Sequence, residues 1–202
     1  MNTDINTNAD QQKARGKWKL YLVLAICAAP LIFSYLTYYV IKPEGRTNYG
    51  TLLDPRLYPI PKLDSVLQGG GKQELDAYKG KWIMLQVSSS DCLAACQNTL
   101  LNMRQLRLMQ GREMDRIERV ILITDQNPME TLLLREYDGT HFLRVDAKAV
   151  AAWLPAEEGS NEQDRIYLID PLGNLMMRYS VDADPNKIKK DLSKLLKASS
   201  IG

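Results

Sequence analysis

The chain has 202 residues, of which 26 are basic, 24 acidic, one is His and three are Cys. That length allows one membrane anchor and one domain of about 150 residues, and a single imidazole, His141, excludes most catalytic zinc sites, which need several. Four basic and two acidic residues fall within residues 1–41, so the remainder is balanced in charge and does not read as a nucleic-acid binder, which concentrates positive charge to displace counterions.

Residues 1–19 read as a disordered cytoplasmic tail: the first twelve are rich in Asn, Asp, Gln and Thr. Residues 20–41 (LYLVLAICAAPLIFSYLTYYVI) carry no charge. At 1.5 Å per residue they reach about 33 Å, enough for a hydrocarbon core of about 30 Å. They are expected to form a transmembrane helix, with the lipid bilayer as first partner. Pro30 sits in the middle, a place for a kink that membrane helices tolerate. Tyr21, Tyr35, Tyr38 and Tyr39 lie toward the ends and Trp18 just outside, as in an interfacial belt. A cleaved leader fits poorly, because bulky Tyr38–Ile41 stand where small residues are needed. Lys13, Arg15, Lys17 and Lys19 precede the span, while Lys42 and Arg46 follow it. That bias places the N-terminus in the cytoplasm and the C-terminal domain in the periplasm of a bacterial-type cell, anchored by one pass in the inner membrane.

Residues 42–71 hold Pro43, Pro55, Pro59, Pro61 and Gly69–Gly71 and read as a linker. Residues 72–202 read as the folded domain. Trp82–Val87 is a strand-length apolar run bounded by Gly80 and Ser88–Ser90. Leu93–Gln110 places Leu93, Cys96, Leu100, Met103 and Leu106 at helical spacing, with Gly111 as a stop. Arg119–Asp125 (RVILITD) is a continuous apolar run, as in strands buried on both faces. Asn127–Tyr137 reads as a helix with Pro128 in its first turn. Phe142–Val145 reads as a strand, Ala147–Leu154 as a short helix, and 155–163 as an acidic loop. Arg165–Asp170 and Leu175–Ser180 form a hairpin through Pro171–Asn174. Asp184–Ala198 closes as a basic amphipathic helix, Asp184 its N-cap and Pro185 its first residue. A βαβ start with a terminal hairpin and helix is the thioredoxin-like arrangement: an α/β fold with a central sheet flanked by helices. The crossover rule makes the first two strands parallel.

Cys92 and Cys96 fall where the first strand meets the following helix. Unpaired N–H groups and the macrodipole there stabilise a thiolate, the species that attacks disulfides and binds soft metals. An i,i+4 spacing places both sulfurs on one helical face with Cα atoms about 6 Å apart, within reach of a disulfide. Cys92, nearer the helix start, is expected to be the more exposed. Asp91 beside it disfavours a thiolate. Cys27 lies in the span and reads as a small apolar residue. The methionines at 84, 103, 109, 114, 129, 176 and 177 are scattered at core-like spacing and read as packing. His141, beside Gly139–Thr140, reads as a surface or capping residue. Glu157–Glu158 have no partner acid on a defined element, so glycosidase chemistry has no support.

With its N-terminal anchor, GKWIMLQVSSSDCLAAC (80–96), RVILITD and RIYLIDPLGN (165–174), the chain resembles the Sco/SenC family. These are single-pass, thioredoxin-like copper proteins that assemble cytochrome oxidase. The likeness covers most of residues 72–197, and the CxxxC spacing separates it from the CxxC of thioredoxins. It implies that Cys92 and Cys96 are Cu(I) ligands or a redox dithiol, and that the partner is a cytochrome oxidase subunit or another copper or thiol protein. The chain departs from the family in two places. Leu93 and Ala94 stand where the family carries Pro and an acid, and Asn161–Arg165 holds no His where the family supplies a third copper ligand. The missing His tilts the expectation toward thiol–disulfide exchange, with Glu162 on the equivalent loop. The competing expectation is a non-catalytic thioredoxin-like module that scaffolds a membrane partner, its cysteines locked or idle.

Overall fold

Two apolar runs organise the domain. Trp82–Ser88 is buried at every position, and Ile117–Ile123 at all but Glu118. β-Branched residues in such runs fit a pleated surface covered on both sides. In the computed structural model they are adjacent central strands. The structure describes residues 4–41, 48–155, 165–180 and 182–201.

The chain divides into two units, Met1–Thr47 and Asn48–Gly202. The first is helix α1 (Asp4–Leu36), closing in a wider turn at Thr37–Ile41. Lys17–Val40 is long and apolar enough to cross a membrane, and none of it is buried against protein. The helix runs unbroken through Pro30. It also extends back over most of the polar segment expected to be disordered, where Ala9, Gln11, Gln12, Lys13 and Ala14 favour helix continuation.

The second unit is a thioredoxin-like sheet flanked by helices. Its strands are β1 (Thr51–Leu52), β2 (Val66–Leu67), β3 (Trp82–Ser88), β4 (Ile117–Ile123), β5 (Thr140–Arg144), β6 (Ile166–Ile169) and β7 (Leu175–Tyr179), in the spatial order β1-β7-β6-β3-β4-β5-β2. β3, β4 and β5 are parallel, and β6 runs antiparallel to β3. The helices are α2 (Ala94–Leu108), α3 (Thr131–Glu136), α4 (Ala147–Trp153) and α5 (Pro185–Ala198). On one face of the sheet, Trp82, Met84, Ile117 and Ile121 pack with Leu100, Met103 and Leu106 of α2 and Ile188, Leu192 and Leu196 of α5. On the other, Ile83, Leu85, Val120 and Leu122 pack with Val150 and Trp153 of α4 and with Leu63 and Leu75. Met84, Met103, Met129 and Met177 are core residues of the first face.

Two boundaries differ from expectation. The segment read as a linker carries both edge strands: Thr51 pairs with Arg178 and Val66 with Arg144. Helix α3 begins at Thr131, so Pro128 lies outside it. The Asn127 N–H donates to Asp125 Oδ1 (3.1 Å) and Arg144 Nη2 donates to Asn127 O (2.6 Å), which fixes that segment as a turn. The final helix forms as read: Asn186 N donates to the Asp184 carboxylate at 2.9 Å, a side-chain N-cap ahead of Pro185.

Candidate functional site

β3 delivers the chain to the edge formed by the C-terminal ends of β3, β4 and β5, where open α/β sheets place their sites. Beyond Ser88 a tight turn closes with Cys92 N donating to Ser89 O at 3.3 Å. Cys92 adopts a left-handed backbone, φ 35°, unusual for a residue with a Cβ. Leu93 is the N-cap of α2, with no side-chain acceptor for the first N–H groups, and Cys96 sits in the first turn.

Cys92 and Cys96 are joined in a disulfide with Cα atoms 5.1 Å apart. The expected bridge is present, but two details differ. Cys92 is not on the helix; it precedes it, and the left-handed turn rather than an i,i+4 face brings the sulfurs together. Nor is Cys92 the exposed partner: Cys92 is 1% exposed and Cys96 3%. Both turn inward onto the α2 face of the core. They lie just beneath the surface, because Leu93 is 70% exposed and Ala94 and Ala95 are exposed too. The apolar side chain of Leu93 leaves no polar reason for the loop to turn its sulfurs outward.

Asp125, after β4, clamps the turn before the disulfide. Its carboxylate accepts from Ser90 N at 2.9 Å and from Asn127 N. Burial opposes its ionisation, but hydrogen bonds from the Ser90 side chain and backbone, that from Asn127 and the charge of Arg144 outweigh burial and hold the carboxyl below its ordinary value. A depressed folded value gives stabilisation that is complete above the ordinary carboxylate range and lost as pH falls through the depressed value. The protection of the Ser90 amide, relative to its intrinsic exchange rate at each pH, should therefore be constant around neutral pH and fall only in acid below that range. An Asp125→Asn variant should exchange fast at neutral pH too; equal protection in the variant would remove the clamp. Asp91, expected to act on Cys92, is exposed and accepts instead from the Ser89 hydroxyl.

Gln86 was not singled out by sequence. Strand alternation puts it on the same face as Trp82 and Met84, the face that carries the disulfide. It is fully buried, and among the described residues both its amide atoms lack partners. An unmet buried amide costs about 1–3 kcal/mol, and an apolar group of similar shape removes that cost. Gln86→Leu should raise stability by about 1–2 kcal/mol in urea unfolding; a loss would show that the amide has a partner. Its signal was a lone polar residue inside the apolar run WIMLQV.

His141 lies near the start of β5, away from the edge formed by the C-terminal strand ends, opposite Val120 in the middle of β4. Its Nε2 is 3.3 Å from Glu118 Oε2, and its ring is 4.5 Å from that of Tyr78. Lys81 Nζ donates to Glu118 Oε1 at 2.5 Å. Burial opposes ionisation of Glu118, yet Lys81 and His141 prevail and lower its value. This His is a hydrogen-bond partner of Glu118 and is not among the buried residues packed around the disulfide. Glu157–Glu158, Glu162 and the rest of 156–164 lie outside the described residues. Among the described residues no group of three or more His, Cys, Asp or Glu could hold a metal, and a disulfide offers no thiolate to Cu(I).

Residues 82–199 match the family model described as transmembrane-like, thioredoxin-like, C-terminal domain. No curated protein matches the chain by sequence. Solved structures match its fold. Arabidopsis thaliana ScoI with copper bound aligns at TM-score 0.54 and 14% identity, over 69% of this chain and 98% of that one. A SCO1/SenC family lipoprotein from Bacillus anthracis aligns at 0.52 and 17%, over 72% and 99%. The thioredoxin domain of a thiol-disulfide oxidoreductase from Bacteroides vulgatus aligns at 0.53 and 14%, over 71% and 99%. The structural neighbours thus include Sco/SenC proteins, and at these identities the likeness establishes the thioredoxin-like fold. With more than half its length matched, the chain belongs to the transmembrane-like, thioredoxin-like, C-terminal domain family.

Proposed function

We propose that this chain is a membrane-anchored thiol–disulfide protein of the Sco type, serving the assembly of cytochrome oxidase. Its N-terminus lies in the cytoplasm and its domain in the periplasm. The observation that carries the reading is the Cys92–Cys96 disulfide at the β3–α2 junction, built from the only two cysteines outside the anchor.

In the reduced chain, Cys92 sits ahead of a helix whose N-cap residue offers no competing side-chain acceptor. The first N–H groups and the macrodipole favour its thiolate. That thiolate attacks one sulfur of a partner disulfide; the partner's other sulfur leaves as a thiolate and takes a proton. The Cys96 thiolate then attacks Cys92 Sγ and releases the partner's second thiol. Two electrons pass to the partner, and the chain ends as the disulfide described above. A dithiol donor must reduce it again. Attack requires the loop to turn Cys92 outward, since in the disulfide form it is 1% exposed. Cu(I), as cargo, would sit on the two thiolates with a third donor from outside the described residues or from the partner. The partner is a copper-receiving oxidase subunit or another copper or thiol protein.

A second reading rests on the burial of both cysteines. A disulfide shielded from solvent suits a domain that binds a membrane partner without chemistry. Equilibration of the full chain with glutathione buffers separates the two. A working pair should titrate within the range of known exchange proteins, between about −270 and −120 mV, whereas a structural bond lies below about −300 mV. A value in the lower range would retire the exchange reading and leave the scaffold.

A further inference from the structure

The last helix carries its charge on one side. Lys187, Lys190, Lys194 and Lys197 are exposed, and at 100° per residue their 3-4-3 spacing confines them to an arc of about 80°. The stripe is about 15 Å long at 1.5 Å per residue. Ile188, Leu192 and Leu196 take the opposite side into the core. Asp191 is the only acid within α5, and it is buried. Asp182 and Asp184 precede the helix, so acid is confined to its start and the lysines run along the rest.

The chain that leaves the apolar span is fastened to this same helix. Asp191 Oδ2 accepts from Tyr49 N at 2.8 Å and from Gly50 N at 2.9 Å. Asp184 N donates to the Tyr49 hydroxyl at 3.1 Å, and Lys187 Nζ lies 5.0 Å from the Tyr49 ring centroid. The span ends at Val40, and Tyr49 follows it nine residues later in the sequence.

We propose that the lysine stripe of α5 docks on anionic phospholipid headgroups of the bilayer that holds the anchor. This rests on the membrane-anchored reading above. Each Lys near an anionic surface contributes about fivefold to association, and the attraction is screened by salt. Four on one side, at the point where the tether attaches, make a surface-seeking face on a domain whose total charge is balanced.

The test uses the full chain in vesicles of phosphatidylcholine alone or mixed with phosphatidylglycerol. Lysine acylation is read by mass spectrometry, with Lys148 on α4, across the sheet, as internal control. Phosphatidylglycerol should slow acylation of Lys187, Lys190, Lys194 and Lys197 severalfold relative to Lys148, and high salt should restore it. Amide exchange along α5 should slow likewise, and not in Lys187→Gln/Lys190→Gln/Lys194→Gln/Lys197→Gln. Equal acylation in both lipids, with the chain still floating with the vesicles, overturns docking while the anchor stands and points to an acidic protein surface instead. A chain that does not float overturns the anchor and the docking together.

Discussion

Replacing both cysteines, Cys92→Ser/Cys96→Ser, should abolish thiol–disulfide exchange and Cu(I) binding while leaving the domain folded. The disulfide closes a very short loop, so the chain-entropy account gives it only about 2 kcal/mol. A domain of ordinary stability, about 5–15 kcal/mol, survives that loss. The variant therefore isolates chemistry from folding, which a circular dichroism spectrum and a urea midpoint can verify. The single variants should part company. Cys96→Ser keeps the attacking sulfur and loses the resolving one, so mixed disulfides with a model substrate should accumulate on Cys92. Cys92→Ser should trap far less, because Cys92, ahead of the helix start, is the assigned attacker and Cys96 sits within the first turn of α2. Equal trapping by both would reverse or dissolve the assignment of roles. In competition with a Cu(I) chelator, the reduced wild type should bind one equivalent and the double variant none. Undiminished binding by the double variant would move copper away from these cysteines altogether.

Asp191→Ala should be the most destabilising single change outside the apolar core, by about 3 kcal/mol. The reason is an asymmetry in hydrogen bonding. An intact bond adds little net stability, but an abandoned buried donor costs about 1–3 kcal/mol, and here two N–H groups lose one carboxylate oxygen. Gly50 is closely packed: a Cβ there would lie 2.5 Å from Met177 Sδ and 2.7 Å from Tyr179 Cε1. The loss should release β1 from β7 and lower the melting temperature by about 10 °C, at about 2–4 °C per kcal/mol for a domain of this size. Asp191→Asn retains an acceptor oxygen and should cost markedly less. Amide exchange at Gly50 reads the effect locally; unchanged protection there in Asp191→Ala would show that another group holds the backbone. The same carboxylate adds to burial in raising the Tyr179 phenol well above its ordinary range, so that tyrosine stays neutral at any working pH.

The sequence by itself determined the local elements and their order. Continuous apolar runs such as RVILITD can be satisfied only between two covered faces, and β3 and β4 lie there. Helical spacing with Asp184 and Pro185 at its head specified α5 to within a residue, because cap and first turn are short-range chemistry. The uncharged span of residues 20–41 specified a helix fit for a membrane. The pairing of Cys92 with Cys96 was legible too, since they lie four positions apart where the first strand meets the following helix.

Only the tertiary structure decided what depends on distant partners. β1 and β2 are two residues each, too short for any periodicity, and exist because β7 and β5 offer ladder groups more than 70 residues away. Asp191 reads as one polar residue on an amphipathic helix until Tyr49 and Gly50, more than 140 residues earlier, bring it two N–H groups. Asp125 and Arg144 fix the turn that displaced α3 from Pro128, each from a different strand end. The inward facing of Cys92 goes with a left-handed turn under an apolar Leu93, a conformation no local propensity favours. Short-range chemistry is written in neighbouring residues, whereas burial and long-range hydrogen bonds exist only once the chain has closed on itself.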